Sequence, residues 1–185
     1  MPISPSNQPV ANARFQTGVW IDIGCWIPNV LTTGAIGANI HYANKLMIPR
    51  GQVTSRVFCE TTVAAAGGKL LRVGLYTVGT DGLPGALLYD SGSLAADAAA
   101  GDIGANVVMT IPYDEVYATV VSDGTPTLRA YTIERAPQFM GWRGAVTAVT
   151  KETMVSNTLT YGALPATFGA ITTYSSIGYR VGIKT

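Results

Sequence analysis

The stretch Leu70 to Leu94, LLRVGLYTVGTDGLPGALLYDSGSL, decides the fold class. In its first arm Leu71, Val73, Leu75 and Thr77 alternate with Leu70, Arg72, Gly74 and Tyr76. That period of two is the mark of a half-buried β-strand. Gly79, Asp81, Gly82, Pro84 and Gly85 then fall close together. Glycine admits positive φ, proline fixes its own φ, and Asp-Gly favours a tight turn. Ala86 to Tyr89 is apolar again, until Asp90-Ser91-Gly92 breaks the run. The stretch predicts a hairpin with a long, ordered loop.

Outward from the hairpin the same pattern repeats. Upstream, His41 to Ile48 and Gln52 to Thr62 predict two strands separated by Pro49-Arg50-Gly51. In the second, Val53, Ser55, Val57 and Cys59 are expected on one face, and Thr54, Arg56, Phe58 and Glu60 on the other. Downstream, strands are expected at Asn106–Ile111, Glu115–Val121, Leu128–Ile133, Val146–Val149, Thr158–Tyr161 and Tyr179–Ile183. The alanine-rich run from Leu94 to Gly104 reads as a loop because of Gly101 and Gly104. No long segment sustains a helical period. Short strands at a spacing of roughly 8–12 residues, with Gly/Pro turns between them, predict an all-β sandwich or barrel.

The first 17 residues are polar and carry Pro2, Pro5 and Pro9, so they read as an extended arm. An apolar, aromatic strand candidate follows, Gly18 to Ile27, and then a small, flexible-looking run, Leu31 to Asn39. An apolar strand isolated between flexible pieces suits a segment that docks onto its own domain, a neighbouring subunit or a larger particle. The division expected is an anchoring arm over residues 1–40 and a β-sandwich domain over 41–185. Phe15, Trp20, Ile21, Ile23 and Trp26 are the candidate docking residues of the arm.

The charge content bears on partners. Only 12% of the 185 residues are charged, against 48% hydrophobic, where soluble domains average about 25% charged. A charge-poor surface fits an obligate oligomer or a larger assembly, since interface cores are depleted in charge. The formal net charge is +1 with no basic run, which argues against nucleic-acid binding. No apolar stretch approaches the roughly 20 residues of a membrane span. The N-terminus lacks the pattern of a secretory signal, which predicts folding in a cytoplasm. Cys25 and Cys59 have no metal-type spacing; both read as small buried hydrophobes, with a disulfide between them left open.

No catalytic pattern emerges. His41 is the one histidine, placed at a strand start where a structural role is the rule. There is no nucleophile elbow, no zinc motif and no phosphate-binding loop ahead of a helix. Asp81, Asp90, Asp102, Asp114 and Glu115 could in principle form a glycosidase pair, or the Asp-rich turns could instead hold a calcium ion, though no D-x-[DN]-x-[DN]-G loop is present. All sit at or beside turns, where Asp usually caps a backbone amide. The expectation is a non-enzymatic protein without cofactor or metal. Exposed aromatics could instead stack on sugars or anchor an interface. Trp142, with Phe139 in the loop-like run APQFMGWRGA, is the candidate surface contact.

Several motifs in order resemble a β-sandwich domain of tailed-bacteriophage virion proteins, found in fibre, tail and head-fibre or decoration components. They are Ile48-Pro49 ahead of the strand Val53 to Thr61, Arg72-Val73-Gly74-Leu75-Tyr76, Asp81-Gly82-Leu83-Pro84-Gly85 and Leu87-Leu88-Tyr89-Asp90-Ser91-Gly92. Val116-Tyr117-Ala118 to Val121, Thr125-Pro126-Thr127-Leu128-Arg129 and Ala163-Leu164-Pro165-Ala166-Thr167-Phe168 follow. Ala118 stands where that family carries an aromatic, and the first 40 residues match nothing in it. The resemblance implies a jelly-roll-like antiparallel β-sandwich, often a homotrimer, with no enzymatic activity. It implies a structural role in the virion, made in the host cytoplasm and docked to other virion proteins of the capsid or tail. The alternative is a carbohydrate-binding module, or a receptor-binding domain that recognises host surface glycans through Trp142 and neighbouring aromatics.

Overall fold

The computed structural model describes residues 18–22, 30–132, 142–143, 150–151, 154–175 and 177–185. Every regular element among them is a β-strand and every pairing is antiparallel. The strands are β1 (Trp20–Asp22), β2 (Val30–Ala35), β3 (Ile40–Met47), β4 (Gln52–Val63), β5 (Leu70–Val78), β6 (Pro84–Asp90), β7 (Leu94–Ala95) and β8 (Gly101–Ile111). After these come β9 (Glu115–Ser122), β10 (Thr127–Thr132), β11 (Trp142–Arg143), β12 (Thr150–Lys151), β13 (Met154–Thr158), β14 (Thr173–Ser175), β15 (Ile177–Tyr179) and β16 (Val181–Lys184).

Two seven-stranded antiparallel sheets face each other across one core, the arrangement of a β-sandwich. The hairpin sheet runs β14–β13–β3–β9–β5–β6, with β7 pairing the start of β5. It presents Leu46, Leu71, Val73, Leu75, Val116, Ala118 and Val120 inward. The opposing sheet answers with Ile21, Val57, Cys59, Leu128, Ala130, Val181 and Ile183. Each such side chain removed from water contributes on the order of 1–3 kcal/mol, so this core is what holds the layers together.

The opposing sheet branches. β4 pairs with β8 along one edge. On the other edge it meets β16 at Arg56–Cys59 and β10 at Thr61–Val63. β10 in turn pairs with β15 at Ala130–Thr132. The three ladders meet at Arg180, whose backbone N–H donates to Arg129 O at 2.8 Å and whose C=O accepts from Glu60 N at 3.3 Å. The side chains seal the branch: Glu60 accepts from Arg129 Nε at 3.2 Å and pairs with Arg180. Two guanidinium groups hold the Glu60 carboxyl below its ordinary range, outweighing the opposing effect of its partial burial. We call this the junction sheet.

A third layer covers the outer face of the hairpin sheet. Leu164 and Phe168 pack with Ala43, Tyr76, Tyr117, Val121 and Val155 in a second apolar cluster, flanked by Leu159, Tyr161 and Ile171. The expectation of a half-buried first arm is corrected here. Leu71, Val73 and Leu75 do face the core, but Tyr76 on the opposite face is also fully buried. A period of two separates the faces of a strand; it does not say whether a distant segment covers the second one.

Other expectations shift for local reasons. The run from Leu31 to Asn39, read as flexible, holds β2, which pairs with β10 along its whole length. Gly34 there lies under the Tyr179 ring, so its lack of a side chain is a packing feature. Val53 and Ser55 are exposed while Gln52 and Thr54 are buried, because the ladder slips between Thr54 and Arg56 and inverts the pleat. Thr158 ends β13, and residues 159–161 run into the cover instead of continuing the strand.

Gly101 and Gly104, read as loop formers, open the long strand β8 instead. A Cβ on Gly104 would lie 2.3 Å from Val57 O and 2.8 Å from Phe58 Cα, both on the neighbouring strand. Backbone cannot step aside as a flexible side chain can. Gly104→Ala is therefore expected to cost about 2 kcal/mol by forcing β8 off β4. The check is the urea midpoint against wild type; an unchanged midpoint would show that the strands part without cost.

Candidate functional site

The docking residues expected in the arm divide by position. Trp20 and Ile21 lie in β1, which pairs with β16 in the register Trp20–Lys184, Ile21–Ile183 and Asp22–Gly182. Ile21 is fully buried in the inter-sheet core. The Trp20 ring meets Phe58 edge-on at 4.5 Å, and Lys184 Nζ sits 4.7 Å from its centroid. Gly18 and Val19 continue the tie, donating to Thr185 O at 2.6 Å and Thr185 Oγ1 at 3.1 Å. Of the three partners open to this segment, the described part occupies its own domain. Phe15, Ile23, Trp26 and Phe139 lie outside the described residues. Trp142 falls in β11, which pairs with β12, and its side-chain placement lies outside the described residues.

The residues quoted for the virion resemblance come together in space. Leu164 seats on Gly74, where a Cβ would lie 2.3 Å from Leu164 Cδ1. The Asp90 carboxylate accepts both hydrogen bonds of Arg72 Nη1, at 3.0 and 2.8 Å, and those of Gly92 N at 2.9 Å and Leu164 N at 3.0 Å. Its burial opposes ionisation, but these four hydrogen bonds and the Arg72 charge outweigh it and hold its pKa below the usual carboxylate value. Tyr76 Oη donates to Pro165 O at 2.9 Å, and Tyr117 Oη to Gly82 O at 2.7 Å. Leu87 N bonds Ala166 O at 2.8 Å, and Phe168 N bonds Gly85 O at 3.2 Å. The turn Asp81–Gly85, with Gly82 at φ +80°, thus grips the cover as well as closing the hairpin.

His41 lies beneath the cover, fully buried, 4.4 Å from the Phe168 ring and 5.7 Å from that of Tyr76. Neither ring nitrogen has a hydrogen-bond partner. Desolvation drives its pKa down to about 3 against a weak pull from Asp90, so the imidazole is neutral at pH 7. Cys59 is a free thiol in the core, pushed up to about 12 chiefly by burial, and is not a nucleophile.

The candidate carboxylates each have a local occupation. Asp81 Oδ1 caps Leu83 N at 3.0 Å. Asp102 pairs with Arg56 at 3.1 Å, Asp114 with Arg50 at 2.8 Å, and Glu115 with Lys45 at 2.6 Å. Among the described residues, no three His, Cys, Asp or Glu side chains gather into a metal-binding group.

Sequence reasoning missed two features. One is the role of residues 159–171 as a layer, which the apolar positions Leu159, Leu164, Phe168 and Ile171 could have hinted at. The other is a cleft between the sheets walled by Tyr42 and Tyr179, which no sequence signal marks because its residues come from four separate strands, β3, β13, β14 and β15, with Thr172 just ahead of β14. In comparisons with known proteins, no family model, curated protein or solved structure matches this chain.

Proposed function

We propose that this chain is a non-enzymatic structural component of a tailed-bacteriophage virion, a jelly-roll-like sandwich displayed on the particle as a capsid decoration, head-fibre or tail component. The observation that carries the reading is the interlock just described. Arg72, Gly74, Tyr76, Gly82, Gly85, Asp90, Tyr117 and Leu164, drawn from motifs far apart in sequence, all contribute to one packed unit. A resemblance whose residues build one structural unit is a resemblance of architecture. The low charge content adds to it, since a covered surface needs few charges.

In this proposal the sandwich trimerises and the N-terminal arm grips another virion protein. The arm is best taken as residues 1–17, because β1 and β2 belong to the junction sheet. Removal of residues 1–17 is expected to leave the thermal midpoint within a few degrees of wild type and the solution mass at three copies, while binding to phage particles is lost. Light scattering of the full chain and of a chain starting at Gly18 measures this. A monomer in both would overturn the assembly reading. A trimer only in the full chain would make the arm an exchanged segment between copies, not an anchor.

A further inference from the structure

β3, β13 and β14 of the hairpin sheet and β15 of the junction sheet together line one hollow. A cleft of about 500 Å³ lies there, within the range of about 300–1,000 Å³ of small-molecule sites. We infer that this cleft binds a neutral saccharide unit, held against the Tyr42–Tyr179 corner by the hydroxyls of the facing strands.

Four observations lead to that class of ligand. First, among the described residues no Asp, Glu, Lys, Arg or His lines the cleft. A carboxylate or phosphate entering it would shed water without gaining a counter-charge. Second, Ser156, Thr158 and Thr173 face it from β13 and β14. A purely aliphatic ligand would bury these hydroxyls without partners, which costs about 1–3 kcal/mol for each group left unpaired. A sugar offers both donors and acceptors at close spacing.

Third, the aromatic wall is fixed in advance. The Tyr42 and Tyr179 rings meet edge-to-face at 5.0 Å and 73°. Tyr42 Oη accepts from Gly37 N at 3.0 Å, and Tyr179 Oη donates to Ala35 O at 3.0 Å. Both hydroxyls are tied back to the C-terminal end of β2, at Ala35 and at Gly37 just beyond it, so neither ring swings freely. A rigid aromatic corner loses little entropy when a sugar ring stacks on it. Ile40, Met154 and Ile177 supply the apolar contact that the C–H face of a pyranose needs.

Fourth, a buried polar group beside the floor is unfinished. Asn44 is fully buried and donates from Nδ2 to Tyr179 O at 2.9 Å, but its Oδ1 has no partner. It is the cross-strand neighbour of Met154, which lines the cleft. Asn44 does not itself line the cleft, so a ligand hydroxyl gains this acceptor by displacing the neighbouring Met154 side chain.

The inference does not need the virion reading, since a monomer that binds sugar would keep the first and lose the second. The test is an amide-shift titration of the ¹⁵N-labelled full chain with glucose, galactose, N-acetylglucosamine and maltose. At least one sugar is expected to move the amides of Ser156, Thr158 and Thr173 with millimolar saturation. Thr173→Trp, on an exposed position of β14, is expected to fill the cleft and weaken binding about tenfold or more with the thermal midpoint unchanged. If that variant does not fold, Ser156→Ala serves in its place and is expected to weaken binding severalfold. Trp142→Ala is expected to leave it unchanged. Absence of these shifts with all four sugars at about 100 mM would overturn the inference. So would decanoate or inorganic phosphate binding the cleft more tightly than any sugar, or full affinity in a folded Thr173→Trp chain.

Discussion

Asp90→Ala is expected to destabilise the protein by about 3 kcal/mol and to loosen the cover before either sheet. Asp90 and Arg72 are largely withdrawn from water, at 20% and 16% side-chain exposure. Removing the carboxylate leaves the guanidinium with Ser93 Oγ at 3.2 Å and the Tyr161 ring at 5.8 Å as its remaining close contacts. Breaking a buried pair from one side costs about 3–5 kcal/mol, and partial exposure places this case at the lower end. The amides of Gly92 and Leu164 lose their acceptor as well. Urea unfolding gives the size of the loss. Hydrogen exchange locates it, with Leu164 and Phe168 expected to lose protection while Val57 and Val181 keep theirs. Asp90→Asn, which retains an acceptor, should fall between. A loss below about 1 kcal/mol, or uniform loss of protection, would mean that the Asp90 carboxylate does not hold the cover.

Acidification provides the other large effect. The His41 imidazole titrates at 6.5 in the unfolded chain and at about 3 in the folded one. Between those values the unfolded chain takes up a proton that the folded chain refuses. Stability is therefore intact above pH 6.5 and falls as the pH drops towards 3, by about 4–5 kcal/mol across the window. Asp90 and Glu60, both held below the ordinary carboxylate value, add their own loss only from about pH 4 downwards. The interval between pH 4 and 6.5 thus belongs to the one histidine of the sequence. His41→Phe, stacked between Phe168 and Tyr76, is expected to flatten that interval. A wild-type unfolding free energy constant from pH 7 to 4.5 would show that the imidazole gains a proton without leaving its place.

The inner layers were readable because strand alternation and turn chemistry are local. The positions of β3, β4, β5, β6, β9 and β10 follow from apolar periods and Gly/Pro punctuation, and Leu71, Val73 and Leu75 face the core as the pattern demands. What escaped was non-local. Val30–Ala35 ends in Gly34 and Ala35, weak strand formers, within a run of small residues, and is a strand along its whole length because β10 offers it an edge. The cover depends on Gly74, whose role is set by Leu164 ninety positions later. Gly104 looked like a loop residue because composition cannot tell a flexible glycine from one pressed against a neighbouring backbone. The cleft was invisible for the same reason, since its wall joins Tyr42 to a tyrosine near the other end of the sequence.

The branch at Arg180 has a consequence for biosynthesis. Residues 177–184 fill the space between β4, β10 and β1, and their partners there are made far earlier in translation. Four of the hairpin-sheet strands, β3, β5, β6 and β9, have emerged once residue 122 clears the ribosome and can pair at once. Phe58, Val57 and Ala130 must wait, with their apolar faces open, until the chain reaches Lys184. A nascent molecule therefore passes through a stage with the middle of one sheet assembled and the other sheet sticky and unfinished, and long-range pairing of this kind closes slowly. In a crowded cell, that interval is when a chaperone, or a sister chain, would have its best opportunity to engage.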